Sequence, residues 1–368
     1  MELVFSKEEL LKAMQMLQGV AAGRNTLPIL SNVLIRASDG QIEISATDLE
    51  VGIRMNVPGE VVEEGGITVS AKILSDIVRE LPPEAIKLTT TANDRVEITC
   101  GEGVYKIIGL PDDEFPDLPA IESNFFTMDA PLLCSTIHKT EFAASTDEEA
   151  RYFLNGIYFH MTPERTKVVA TDGRRLAVVS SEALTPPPEE PTGVILPLKA
   201  VKEIAKTFAE SAEVKICLLD NQAIFADDDT TLTSRLVEGE YPQYEQIIPE
   251  DNENRTVVET EKILNAVTRV ALLANQKTYA IRLDIQEDSI RVSSRTPELG
   301  EADETVTIKE GNGTIEIGLN ARFLIDVLRH IETDDVVIES KDGNNAAVLK
   351  PIEDDNYLCL VMPMRLES

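Results

Sequence analysis

Tryptophan is absent, aromatic residues make up only 5% of the chain, and histidine occurs three times. The histidines, His138, His160 and His330, are scattered too widely for a zinc pattern, which places ligands at short fixed spacings. The four cysteines, Cys100, Cys134, Cys217 and Cys359, include no C-x-x-C pair. They read as small buried hydrophobes in a reducing compartment, not as a disulfide framework. No run of about 18 apolar residues occurs, so no membrane-spanning helix is expected. The N-terminus, Met1-Glu2-Leu3-Val4-Phe5-Ser6-Lys7-Glu8-Glu9, has acids where a secretory signal needs a basic and then an apolar stretch. A cytoplasmic location is expected.

Catalytic signatures are missing as well. There is no Walker motif and no G-x-S-x-G. Gly101-Glu102-Gly103 is a lone G-x-G inside a hairpin and not at a strand-to-helix turn, so it is no nucleotide loop. Asp227-Asp228-Asp229, Asp334-Asp335 and Asp354-Asp355 lack the spacing of a calcium loop and are expected as solvated turns. A metal-dependent hydrolase built on these acids is one rival reading, and a three-domain scaffold that binds only proteins is another. No catalytic residue, metal or cofactor is expected.

What is present is length and repetition. With 368 residues, of which 43% are hydrophobic, two or three domains with real cores are expected. A short strand running into an amphipathic helix occurs three times. The copies begin at Ile67-Thr68-Val69-Ser70-Ala71-Lys72, at Val194-Ile195-Leu196-Pro197-Leu198-Lys199 and at Ile315-Glu316-Ile317-Gly318-Leu319-Asn320. Their starts lie 127 and 121 residues apart, far longer than a solenoid period, which implies triplicated domains. A second helical pattern precedes each copy, near residues 9–14, 132–137 and 263–267. Its apolar residues recur at three- and four-residue steps, the mark of one buried face. Ser6 and Thr260 are expected as N-caps, with Glu9 completing a capping box after Ser6.

Between the helices, alternating runs predict half-buried strands at 31–37, 42–46, 156–161, 167–170, 279–285 and 290–293. A hairpin is expected from 86–91 with 95–100, turned at Asn93-Asp94. Each unit is therefore α+β, with two helices packed on antiparallel sheet. Polar, Pro-rich junctions set the expected domains at 1–120, 121–250 and 251–368. The run Pro186-Pro187-Pro188-Glu189-Glu190-Pro191 falls within a repeat and reads as a surface loop.

The net charge of −31 argues against tight nucleic-acid binding, which depends on cations placed on phosphates. The distribution matters more than the total. The six expected helices (7–24, 71–80, 131–144, 198–210, 260–277 and 320–332) hold 14 basic and 10 acidic residues, and the rest holds 20 and 55. Helix surfaces often carry Lys for solubility alone. The alternative is that mildly positive helices face one anionic partner while acidic sheets face outward. Such a surface would orient DNA without gripping it.

Several stretches resemble the bacterial DNA polymerase III β subunits, the β sliding clamps. They are Arg24-Asn25-Thr26-Leu27-Pro28-Ile29-Leu30, Arg151-Tyr152-Phe153-Leu154-Asn155-Gly156, Ala170-Thr171-Asp172-Gly173-Arg174-Arg175-Leu176-Ala177 and Tyr357-Leu358-Cys359-Leu360-Val361-Met362-Pro363-Met364-Arg365-Leu366. With the threefold repeat, the resemblance spans essentially the whole chain. It implies the DNA clamp fold, closed into a ring by a head-to-tail homodimer. Duplex DNA would be held topologically and without sequence preference. The further partners implied are the replicative DNA polymerase, an ATP-driven clamp loader and other proteins carrying a clamp-binding motif.

By the same resemblance, a partner-peptide pocket is built from Leu154, Thr171, Gly173, Arg174, Arg175, Leu176, Pro242, Ile247, Leu360, Val361, Met362, Pro363, Met364 and Arg365. Met side chains reshape to accept different apolar anchors. Without the resemblance, Met362 and Met364 read as core of a C-terminal strand. The implied DNA contacts are Arg24, Lys72, Tyr152 and Lys199, with Lys202 added from helix spacing. For the dimer seam, Leu272 and Leu273 would meet Tyr105 and Ile107 on an edge strand, although both leucines also suit a helix core. Three departures stand out. Glu245-Gln246 occupies a position that is often basic in these clamps, Glu148-Glu149 precedes Arg151, and Glu367-Ser368 extends past Leu366.

Overall fold

The computed structural model of the chain describes residues 1–21, 27–119, 125–147, 151–249 and 252–365. Among these, six helices form where apolar residues share a face. They are α1 (Lys7–Ala21), α2 (Ala71–Glu80), α3 (Ala130–Glu141), α4 (Leu198–Thr207), α5 (Thr260–Val270) and α6 (Ala321–Arg329). In α2 the buried set is Ala71, Leu74, Ser75 and Val78, and in α6 it is Ala321, Leu324, Val327 and Leu328. A small residue opens each set, which lets the first turn approach the sheet closely.

Caps set the helix starts. The Ser70 hydroxyl accepts from the Ile73 N–H at 3.4 Å, and the Asn320 side chain accepts from Arg322 N–H at 2.9 Å. Ser6 accepts from Glu9 N–H at 3.2 Å, as its spacing implies. Thr260 does not cap α5. It is the first helical residue, and its hydroxyl donates to the Thr333 carbonyl at 2.9 Å. The expected 260–277 helix also stops early. A 3-10 turn, Ala271–Leu273, follows α5, and the Asn275 side chain then accepts from Lys277 N–H at 2.9 Å. This side-chain bond competes with helix continuation.

Packing divides the chain into two compact units. One comprises Met1–Cys134 with Lys199–Leu236, and the other Ser135–Leu198 with Val237–Ser368. The grouping cuts across the repeats because sheet ladders cross the repeat junctions. In the first unit, strand Thr230–Arg235 pairs antiparallel with Val51–Asn56, matching Leu232 with Ile53, within one 13-stranded sheet. In the second unit, Arg175–Glu182 pairs with Tyr357–Val361 inside a nine-stranded sheet, matching Leu176 with Leu360. A separate four-stranded sheet in that unit ends on strand Gly300–Thr307. The expected hairpin forms from Ile86–Thr91 and Arg95–Cys100, with Asn93 and Asp94 both at positive φ (62° and 52°). Thr91 pairs with Arg95, so the loop is three residues long (92–94), and its last two take the left-handed backbone that reverses the chain.

No helix among the described residues is long and apolar enough to cross a membrane. Cys100, Cys217 and Cys359 are buried, Cys134 is half-buried, and all four are free thiols.

Candidate functional site: an apolar pocket, helix cations and two open sheet edges

The turn at 171–175 holds five of the expected pocket residues or their neighbours in a tight hydrogen-bonded loop. The Thr171 hydroxyl donates to the Arg175 carbonyl at 2.6 Å and accepts from Gly173 N–H at 3.0 Å. Asp172 Oδ1 accepts from the N–H groups of Arg174 (2.8 Å) and Arg175 (3.0 Å). Gly173 sits at φ +81° with open space where a Cβ would point, so glycine serves backbone conformation here, not packing.

Strand alternation then sorts the side chains. Thr171 faces Leu176, and Leu176 faces Leu360, so these three form one row across the sheet. Leu176 and Leu360 belong to a buried apolar cluster with Val169, Val178, Tyr244, Ala346 and Val348. Tyr244 lies in the segment joining Leu236 to Pro249 and is 5% exposed. The Tyr241 hydroxyl, from the same segment, donates to the Val169 carbonyl at 3.4 Å. Burial pushes the Tyr241 phenol well above its ordinary range, so it stays a neutral donor. In the same segment as Tyr244, Pro242 and Ile247 are exposed.

On the other side, Met362 N–H donates to the Arg174 carbonyl at 2.9 Å, and Met364 N–H to the Gly318 carbonyl at 2.8 Å. These bonds hold the chain end while leaving Met362 42% exposed. Pro363, Met364 and Leu154 are half-buried, and Arg174 and Arg365 are exposed. Met362 is therefore not core.

Two residues of the expected set point elsewhere. Arg175 and Val361 are cross-strand neighbours in the row after Leu176 and Leu360, so they occupy the opposite face. Arg175 Nε donates to Asp172 at 3.1 Å and Nη1 to Asp326 at 2.6 Å. Its guanidinium also lies 4.7 Å from the Phe323 ring centroid and 5.5 Å from that of Phe142. Arg175 ties this strand to α6 and does not project a free cation into the pocket. Replacing it by Ala leaves Asp172 half-paired and is expected to destabilise the fold by about 3 kcal/mol, measured by urea unfolding.

Tyr244, Tyr241, Val348 and Ala346 were missed by the sequence reading. The one local signal was two tyrosines placed in an otherwise polar, Pro-containing junction.

Of the expected DNA contacts, Arg24 lies outside the described residues, as do Glu148, Glu149 and the end after Arg365. Lys72 on α2 and Lys202 on α4 are exposed, and no ion pair engages either among the described residues. Tyr152 is 61% exposed. Lys199 is half-buried and ion-paired with Asp48. Other helix cations are also engaged: Lys12 with Glu210 at 2.9 Å, Lys139 with Glu332 at 3.3 Å and Lys262 with Glu259 at 2.7 Å. The surplus of positive charge on the helices is thus partly neutralised in place.

Strand Gly103–Leu110 pairs with Arg95–Cys100 from Gly103 to Ile108, and its opposite edge meets Gly65–Ser70 only through Gly109 and Leu110. Among the described residues, that edge is open from 103 to 108. Tyr105 and Ile107 share the face of their partners Ile98 and Val96, and Tyr105 is 41% exposed. The sequence reading overlooked Val104 (54% exposed) and Ile108 (75%) on the other face of the strand. Leu272 is 76% exposed on the 3-10 turn after α5, so it is no core residue, and Leu273 is half-buried.

Two of the acidic clusters serve as turns, whereas Asp335 opens strand Asp335–Ser340 and is ion-paired with Lys309 at 2.6 Å. Asp227 Oδ1 accepts from the N–H groups of Asp229 (3.0 Å) and Thr230 (2.7 Å), and Asp354 accepts from Asn356 N–H at 2.9 Å. Among the described residues, no three His, Cys, Asp or Glu side chains converge on a point.

The family models for the N-terminal, central and C-terminal domains of the DNA polymerase III beta subunit match residues 1–119, 127–243 and 245–365. The beta sliding clamp of Pseudomonas aeruginosa is 33% identical over 369 residues, covering 100% of both chains, and that of Vibrio cholerae is 30% identical over 370 residues at the same coverage. Among solved structures, the P. aeruginosa DNA polymerase III subunit beta superposes with a TM-score of 0.94 at 34% identity. The Bacillus subtilis DNA polymerase sliding clamp gives 0.95 at 26% identity, and both superpositions cover 100% of each chain.

Proposed function

The chain belongs to the DNA polymerase III beta subunit family, and on that premise we propose how its surfaces perform the work of a replicative sliding clamp. It is a processivity factor and not an enzyme. Two copies associate head to tail and close around duplex DNA, in the cytoplasm, with clamp domains at 1–120, 121–250 and 251–368. The spans of the three family models support that division. The open edge at Gly103–Leu110 and the end strand Gly300–Thr307 are the surfaces that pair. The observation that carries this reading is that, among the described residues, this clamp-like chain retains an open, apolar strand edge, a feature monomeric proteins normally block.

The apolar floor of Leu176, Thr171 and Leu360, walled by Pro242, Ile247, Met362 and Met364, takes the anchor side chains of the polymerase and of other clamp-binding proteins. Leu154 and Pro363 border it, Gly173 shapes its turn, and Arg174 and Arg365 supply charge at the rim. Arg175 and Val361 support the pocket from beneath. Duplex DNA is touched by few cations, Lys72, Lys202, Arg24 and Tyr152 as a stacking or polar neighbour, with Lys199 muted by Asp48. Sparse, water-screened contacts permit sliding, because each additional phosphate neutralised makes binding tighter and more salt-dependent. A separate clamp loader opens the ring.

Retention on nicked circular DNA tests this reading. After loading with a clamp loader and ATP, the protein is expected to stay on the circle at high salt and to leave when the circle is cut. Salt-sensitive binding that ignores cutting would replace topological linkage with ordinary electrostatics. No retention, with loader competence shown on a control clamp, would favour a protein-only scaffold.

A further inference from the structure

A second cavity, of about 330 Å³, shares Pro242 with the proposed peptide pocket. Its walls are largely aromatic. Strand Gly156–Met161 places Tyr158 and His160 on one face, and their rings stack with centroids 5.6 Å apart. Tyr241 stacks on Tyr158 in turn, at 4.8 Å and only 8° from parallel. Gly193, across the ladder from His160, makes room for this stack, since a Cβ there would lie 2.1 Å from the Tyr158 hydroxyl oxygen. All of these residues belong to the second compact unit.

The polar groups of the cavity have acceptor capacity to spare. Tyr244 lines it and is 5% exposed, yet among the described residues its hydroxyl has no hydrogen-bond partner, and His160 Nδ1 has none either. Leaving such buried atoms unpaired costs free energy that a donor-bearing ligand would recover. Glu245 stands beside the Tyr244 hydroxyl and closes no hydrogen bond to it. Lys167 Nζ donates to Glu245 Oε1 at 2.6 Å, while the Glu245 side chain stays 60% exposed. A carboxylate offers about four acceptor sites, so one ammonium does not exhaust it.

Three requirements select the ligand. It must be flat to lie against stacked rings, rich in donors, and cationic to match Glu245. A guanidinium meets all three, with five N–H donors in one plane and a preference for aromatic faces. An ammonium lacks the plane, and an amide lacks the charge. We propose that this cavity takes an arginine side chain of the same partner peptide whose apolar anchor fills the adjoining pocket. The guanidinium lies against the Tyr158–Tyr241 stack and donates to Glu245, the Tyr244 oxygen and His160 Nδ1. The imidazole accepts in the tautomer that carries its proton on Nε2. This inference rests on the peptide-pocket reading above, and it adds a cationic residue to what a partner must present.

The experiment is calorimetric titration of the full chain with peptides that share one apolar Leu-Phe anchor. A single arginine is walked through the flanking positions, and citrulline at the same position serves as the neutral isostere. At one or two adjacent positions arginine is expected to bind about tenfold more tightly than citrulline. That gain is expected to fall to about twofold or less in Glu245→Gln. It is expected to fall to about threefold in His160→Phe, which keeps a stacking ring and removes Nδ1. Citrulline peptides should bind both variants within about twofold of the wild type, because neither substitution touches the apolar anchor. Circular dichroism verifies that the variants fold. An arginine gain of equal size at every position would mean long-range attraction to a chain of net charge −31 and overturn the inference. A gain that survives both substitutions would place the arginine elsewhere and overturn it as well. Arginine and citrulline peptides that bind equally at all positions would remove this cavity from recognition while leaving the apolar pocket in place. Peptides that fail to bind in either form would overturn the pocket reading itself, and this inference with it.

Discussion

Deletion of residues 362–368 is expected to abolish polymerase stimulation while leaving the dimer intact. Truncation removes Met362, Pro363 and Met364, one wall of the proposed pocket, together with the backbone bonds to Arg174 and Gly318. The strand before them keeps both neighbours, since Leu360 remains paired with Leu176 and with Val348. The fold therefore loses about two hydrogen bonds at the edge of a sheet, worth about 1 kcal/mol each. A partner peptide loses the adaptable thioether surface against which its apolar anchor packs. Removal of a central anchor contact costs about 2–4 kcal/mol, which weakens binding by roughly 30- to 1000-fold. The measurements are loader-dependent primer extension, calorimetric titration with a clamp-binding peptide, and sedimentation. Undiminished stimulation by an intact, truncated dimer would take the pocket away from this end of the chain.

Leu272→Asp has the second large expected effect, conversion to monomer. The side chain is 76% exposed in the single chain, so the substitution costs the protomer fold little. In a seam the new carboxylate would be stripped of water without a cation, at a cost of about 4 kcal/mol, or on the order of a thousandfold in dissociation constant. Sedimentation would show one species of single-chain mass, and retention on circular DNA would disappear with it. Leu273→Asp, at the half-buried neighbour, should act in the same direction with an added loss of protomer stability. A Leu272→Asp variant that remains fully dimeric would place the interface elsewhere. The Arg175→Ala variant contrasts with both, because its effect belongs to unfolding and not to association.

Local patterns carried much of the architecture. Apolar spacing located all six helices, and in α2 the expected and observed bounds coincide at Ala71–Glu80. Strand Gly156–Met161 and the hairpin turned at Asn93-Asp94 were legible for the same reason. Their determinants, alternation and turn chemistry, lie within a few residues of one another. The misreadings have a common cause. Thr260 has a capping side chain, but its hydroxyl is drawn to the Thr333 carbonyl, 73 residues away. Lys199 looks like a free helix cation until Asp48, 151 residues away, is placed beside it. Arg175 follows Arg174 in sequence, yet strand alternation points it to the far face, where Asp326 receives it.

The sequence by itself determined the element types, the threefold repeat, the absence of recognisable catalytic signatures and the sorting of charge between helices and the rest. All of these depend on short-range periodicity or on composition, which survive without knowledge of the fold. Only the tertiary structure decided which cations remain available, which leucines and methionines are exposed, and which strand edge is left unpaired. Those properties depend on partners supplied from distant parts of the chain. A side chain's charge or apolar surface can act on another molecule only where folding has left it without a neighbour.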